Sequence, residues 1–144
     1  MENQYPEPLA PFNFARCFNT QCSKANSCLH HLAAVHDTPE YTSLRVVNPI
    51  RIPKDKTLCP YFQSTQKIHV AWGIEHLFDE VRYKYVKTLK NQLIGYFGRG
   101  KYYRFYRKEC YLTPEDQEYI RKMFQKTGIT EEPVFESYSD EYRW

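Results

Sequence analysis

The chain has 144 residues and a formal net charge of +3, with 42% hydrophobic and 17% aromatic residues, which is material for one domain or two small lobes sharing a core. No stretch approaches the roughly 18–20 consecutive apolar residues of a membrane span, in keeping with a mean hydropathy of -0.72. The opening Met-Glu-Asn-Gln-Tyr-Pro-Glu-Pro has neither a basic nor an apolar leader segment, so a cytoplasmic, reducing setting is expected, where an odd count of five cysteines favours metal ligands or free thiols over disulfides.

Residues 1–16, with Pro6, Pro8 and Pro11, read as an extended arm, and a cysteine-bearing loop follows over 17–28. Leu29, Leu32 and Ala33 stand at helical spacing between Cys28 and Val35, and Asp37-Thr38-Pro39 is a stop signal. Over 41–52, Leu44, Val46, Val47, Ile50 and Ile52 predict short extended structure broken by Pro49 and Pro53. Residues 68–72 form another extended candidate, ended by Gly73. Ile74, Leu77, Phe78, Val81, Tyr85, Leu89 and Leu93 then recur at intervals of three and four, predicting a long amphipathic helix of about six turns. Beyond Gly95, Gly98 and Gly100, residues 101–109 fit a short helix or an alternating strand. Thr113-Pro114-Glu115-Asp116 joins a capping hydroxyl, a proline at the first helical position and acids facing the positive end of the helix dipole. A helix burying Ile120, Met123 and Phe124 should follow and stop at Gly128.

The cysteines carry the most specific chemistry. Cys17, Cys22 and Cys28 fall within twelve residues, and Cys59, followed by Pro60, returns the chain towards them. Thiolates converging on one ion offset the cost of ordering such a loop, so a closed four-cysteine zinc site is expected. An iron–sulfur cluster is the alternative cofactor, since four cysteines with a proline after the last also suit one; packed thiols without metal are the bland reading. A variant places His31 or His30 in the position of Cys59, as in Cys-Cys-Cys-His fingers that bind RNA. Those fingers space the final pair Cys-x3-His, and here Leu32 stands at that place. Cys110 reads as a packed thiol, and His69 and His76 stand alone in the sequence.

Charge is segregated along the chain. Between Arg82 and Lys108 there are nine Lys or Arg and no Asp or Glu, with tyrosines and phenylalanines interleaved. Cations release counterions from phosphates and aromatic faces stack on bases. Arg99, Lys101, Arg104, Arg107 and Lys108 are therefore the expected contacts to DNA or RNA, and a plain solvated face is the alternative. Residues 113–144 reverse sign, with four basic and eight acidic side chains. Gly95-Tyr-Phe-Gly-Arg-Gly100-Lys101 imitates the start of a phosphate-binding loop, but Tyr102 stands where a magnesium-binding hydroxyl is needed and the segment follows a helix. No His-Glu-x-x-His, Gly-x-Ser-x-Gly or Cys-x-x-Cys motif is present, so no catalytic residue is assigned.

The run Phe14-Ala-Arg-Cys17-Phe-Asn-Thr-Gln-Cys22, Cys28-Leu-His-His, Asn48-Pro49, Cys59-Pro-Tyr-Phe62, Tyr102-Tyr-Arg-Phe-Tyr-Arg-Lys-Glu109 and Leu112-Thr-Pro-Glu115, with the ending Glu132-Pro-Val-Phe135 and Tyr142-Arg-Trp144, resembles an uncharacterised family of small proteins from anaerobic gut bacteria. The resemblance spans nearly the whole chain and implies a cytoplasmic bacterial protein without indicating an activity. The predicted fold is mostly α. A Cys-rich, metal-stabilised lobe over 1–72 with short extended segments precedes a helical lobe over 73–144 that carries the basic aromatic segment and the acidic tail, with a helix-turn-helix as one arrangement. The expected function is a non-enzymatic, metal-stabilised, nucleic-acid-associated regulator; a protein–protein interaction module is the alternative, and no membrane partner is expected.

Overall fold

The computed structural model describes residues 10–36, 41–53 and 59–144. The chain divides into two compact units, one formed by residues 1–67 and 142–144 and the other by residues 68–141. Among the described residues, 39% are helical and 12% are in strands or bridges, as four helices and a two-stranded antiparallel sheet. The expectation of a mostly α fold with a metal-stabilised lobe is thereby corrected. The first unit is largely irregular chain tied by main-chain hydrogen bonds, and the second mixes helices with a sheet.

In the first unit, the only α-helix among the described residues is α1 (Leu29–Val35), which buries Leu29 and Ala33. The stop signal at Asp37-Thr38-Pro39 and the early prolines Pro6 and Pro8 lie outside the described residues. Arg16 organises the segment before α1. Its main chain bridges to the 45–47 segment, with Arg16 N–H donating to Arg45 O at 2.8 Å and Val47 N–H donating to Arg16 O at 2.8 Å. Its side chain is 0% exposed, and the guanidinium donates to the carbonyls of Pro11 (2.9 Å), Phe12 (3.0 Å), Phe14 (2.5 Å) and Ala10 (3.3 Å). These carbonyls, all on the two terminal nitrogens, offset much of the cost of burying the cation. Pro49 does not simply break the chain: it opens a 3-10 turn, Pro49–Arg51, capped by Asn48 Oδ1, which accepts from Ile50 N–H.

In the second unit, β1 (Ile68–Trp72) pairs antiparallel with β2 (Ser137–Glu141), from Ile68 opposite Glu141 to Trp72 opposite Ser137. Part of the segment read as an acidic tail, Ser137–Glu141, is thus a strand. Ala71 also exchanges two main-chain hydrogen bonds with Leu112, at 3.0 and 2.8 Å. Gly73 ends β1 with φ +82, a backbone conformation that strains any other residue, and a Cβ there would also displace the Glu136 carboxyl group, 2.5 Å away.

The predicted six-turn helix is shorter than its apolar stripe. α2 spans Tyr83–Phe97; before it, Leu77, Asp79 and Val81 N–H groups bond to the carbonyls three residues earlier. Successive tight turns bury Ile74, Leu77 and Val81 at spacings close to a helix's, and extended Arg82 separates them from α2. Gly98, at φ +85, is both the C-cap of α2 and the N-cap of α3 (Arg99–Tyr106), which settles the 101–109 region as mainly helical. α4 spans Pro114–Lys126 and opens on the predicted cap: Asp116 N–H donates to Thr113 Oγ1 at 3.2 Å, and Thr113 N–H donates to Asp116 Oδ2 at 3.0 Å. It closes with Gly128 N–H on Gln125 O and Ile129 N–H on Phe124 O, both at 3.0 Å, the pairing in which a left-handed residue ends a helix. Leu89, Leu93, Tyr102, Phe105, Ile120 and Phe124 meet Leu112 and Phe135 in one apolar core.

Candidate functional site

All four predicted cysteine ligands line one cavity of about 40 Å³ in the first unit. Each is half-buried, and each is positioned by a separate local device. Cys17 N–H donates to His30 O at 2.9 Å. Cys22 precedes the Ala25–Ser27 turn, whose first N–H donates to Cys22 O at 3.2 Å. Cys28 caps α1 and bridges antiparallel to Ser64, and Cys59 opens a turn closed by Phe62 N–H at 3.2 Å. All are free thiols. His30 and His31 line the same cavity. Their Nδ1 atoms lie 2.6 Å from Ala15 O and 3.0 Å from Cys17 O. A carbonyl only accepts, so Nδ1 carries the proton and Nε2 keeps the lone pair in each neutral ring. That is the tautomer His31 would need as the alternative ligand.

Convergence on a cavity is not convergence on a point. Among the described residues, the His, Cys, Asp or Glu donor atoms that gather in threes within 4.8 Å of one another are those of Glu75, His76 and Glu136, and no three cysteine sulfurs do so. The Glu75 cluster escaped sequence reading because Glu136 is remote in sequence. It is a largely exposed group already served by a cation, since the Lys108 ammonium pairs with Glu136. His76 also meets Asp79, at 2.9 Å.

The basic segment divides into two classes. Arg99, Lys101 and Arg104 are exposed on α3, and among the described residues none has a carboxylate within 4.0 Å. Arg99 lies 5.6 Å and Lys90 5.8 Å from the centre of the Tyr103 ring, while Lys101 lies over Phe97 and Phe105. Arg107 and Lys108 are engaged. Arg107 grips Glu109 through two hydrogen bonds of 2.7 and 3.1 Å, which raises the guanidinium's pKa and lowers that of the carboxyl group. Lys108 adopts φ 59, the left-handed position at the end of α3, and reaches Glu136. Cys110 stands apart from the other thiols, in the second unit, and burial pushes its pKa up despite Arg104 and Lys101.

The sequence pattern did not single out a groove of about 530 Å³ in the second unit, lined by Gln92, Tyr96, Tyr119, Lys122 and Lys126 among others. Tyr96 and Tyr119 stack there at 3.6 Å.

The chain belongs to a family of unknown function, DUF6078, which it matches over residues 1–144. Comparison with curated proteins and with solved structures finds no match. No helix among the described residues is long and apolar enough to cross a membrane.

Proposed function

We propose that the chain is a non-enzymatic binding protein that contacts nucleic acid through the exposed cations of α3. The observation that carries this reading is the set Arg99, Lys101 and Arg104, exposed on one helix without a carboxylate in ion-pair range among the described residues. Cations without a carboxylate in ion-pair range are available to phosphate, and the rings beneath Arg99 and Lys101 limit the freedom of those two side chains. Arg107 and Lys108 contribute less, because phosphate must first displace Glu109 or Glu136. The lysine-flanked tyrosines of the 530 Å³ groove add a surface on which unpaired bases stack. A reducing cytoplasm, in bacteria of the kind the family resemblance implies, suits five free thiols.

Three phosphate contacts give a slope in log affinity against log salt of about −2.7 on duplex DNA and about −2.1 on a single strand. Fluorescence anisotropy with labelled duplex DNA and single-stranded RNA, between roughly 50 and 200 mM salt, measures it. Replacing Arg99, Lys101 and Arg104 together by alanine should flatten the slope by about 2.7 on duplex DNA and about 2.1 on single-stranded RNA. No binding at the lowest salt, or an unchanged slope in the triple variant, overturns the reading. The engaged state of Arg107 and Lys108, with Tyr83 93% exposed, favours a protein-interaction surface as the second reading, which that negative result would promote.

A further inference from the structure

The cysteine cavity is independent of the α3 surface and points to a different chemistry. A single zinc ion holds four thiolates about 2.3 Å away, which sets the sulfurs about 3.8 Å apart. Among the described residues, no three of the cysteine sulfurs lie within 4.8 Å of one another, yet all four line one space of about 40 Å³. Four free thiols that line one space without meeting at a single point suit a centre that carries its own bridging atoms. Iron–sulfur clusters are such centres, with sulfides between the irons and one thiolate on each outer position.

We infer that Cys17, Cys22, Cys28 and Cys59 hold a polynuclear iron–sulfur cluster in place of a single zinc ion. The thiols ligate as thiolates, each releasing one proton to solvent as its Fe–S bond forms, while iron and sulfide are supplied from outside. The cluster and its four thiolates carry net negative charge, and Lys24, which lies over the Phe62 ring at 4.8 Å, is among the residues lining the cavity. Val47 and Ile52 give it apolar walls, which limit hydrolysis of the cluster. Cys59-Pro60 reproduces the cysteine–proline ending found in cluster-binding runs.

The full chain, produced and purified without oxygen, should be brown, absorb visible light and contain iron and acid-labile sulfide in equal amounts. Cys22→Ser and Cys59→Ser should lose most of that iron, and Cys110→Ser should keep it. Zinc at one per chain without sulfide overturns the inference, as does a colourless chain that takes up no iron during anaerobic reconstitution with iron and sulfide. Should the serine variants fail to fold, the iron-to-sulfide ratio of the wild type and of Cys110→Ser still decides. No nucleic acid enters this measurement, so its failure is distinguishable from failure of the α3 reading.

Discussion

The two units reach stability by different routes. Among the described residues, the second unit has fifteen buried hydrophobic side chains, from Val70 to Phe135, and the first has five: Ala10, Leu29, Ala33, Val47 and Tyr142. The largest fully buried side chain of the first unit is Arg16. Where apolar material is thin, the chain buries a cation instead and uses its guanidinium to bind the carbonyls of a loop too irregular to pair with itself. In the second unit the free energy is spread over many contacts, whereas the first concentrates it in few groups.

That contrast is open to direct attack, because each unit contains one tryptophan: Trp144 in the first and Trp72 in the second. Either can be replaced by phenylalanine so that the other reports alone. The largest effect is expected from Phe105→Ala, which removes a side chain 1% exposed from the centre of the second core and should cost about 3–5 kcal/mol. Denaturant unfolding followed through Trp72 measures the loss. Arg16→Met comes next, at about 3 kcal/mol, the scale for losing hydrogen bonds to a buried charged group. Hydrogen exchange should then show the amides of residues 16 and 47 losing protection while those of 120–124 keep theirs. Equal loss in both sets would mean that the units unfold as one, and the contrast would be wrong.

The parts legible in the sequence were those whose signal is local. α4 announced its start through Thr113 and Pro114 and its end through Gly128, and β1 through a short apolar run before Gly73. The stripe from Ile74 overran the true start of α2 because consecutive tight turns repeat apolar residues at nearly helical intervals. β2, Ser-Tyr-Ser-Asp-Glu, has little strand character of its own; its pairing comes from β1, with His69 on Asp140 at 3.0 Å and Trp72 Nε1–H donating to Ser139 Oγ at 2.8 Å. Nothing local marks Arg16 for burial, since its partners are main-chain carbonyls, which every residue offers. Cys17, Cys22, Cys28 and Cys59, which their spacing singles out, line one cavity. The distances between their sulfurs depend on how the turns after Cys22 and Cys59 fold, and residue types alone do not encode that.

The smallest effect expected is electrostatic and confined to the second unit. Tyr102 is 3% exposed, and burial, with smaller contributions from Tyr103 and Tyr106, raises its hydroxyl pKa from 10.0 to about 12. Below about pH 10 the hydroxyl is protonated in folded and unfolded chains alike, and stability does not depend on it. Between about pH 10 and about pH 12 the unfolded chain gives up the proton while the folded chain retains it, so stability falls as pH rises. Above the folded value both forms are ionised and the slope ends. Tyr102→Phe has no proton to lose, and its stability, followed through Trp72, should decline less than the wild type's across that window and run parallel to it below pH 10. The same variant followed through Trp144 should match the wild type if the units respond separately. An alkaline slope unchanged by Tyr102→Phe would assign the loss to the other tyrosines of the chain and remove Tyr102 as the alkaline weak point of the second core.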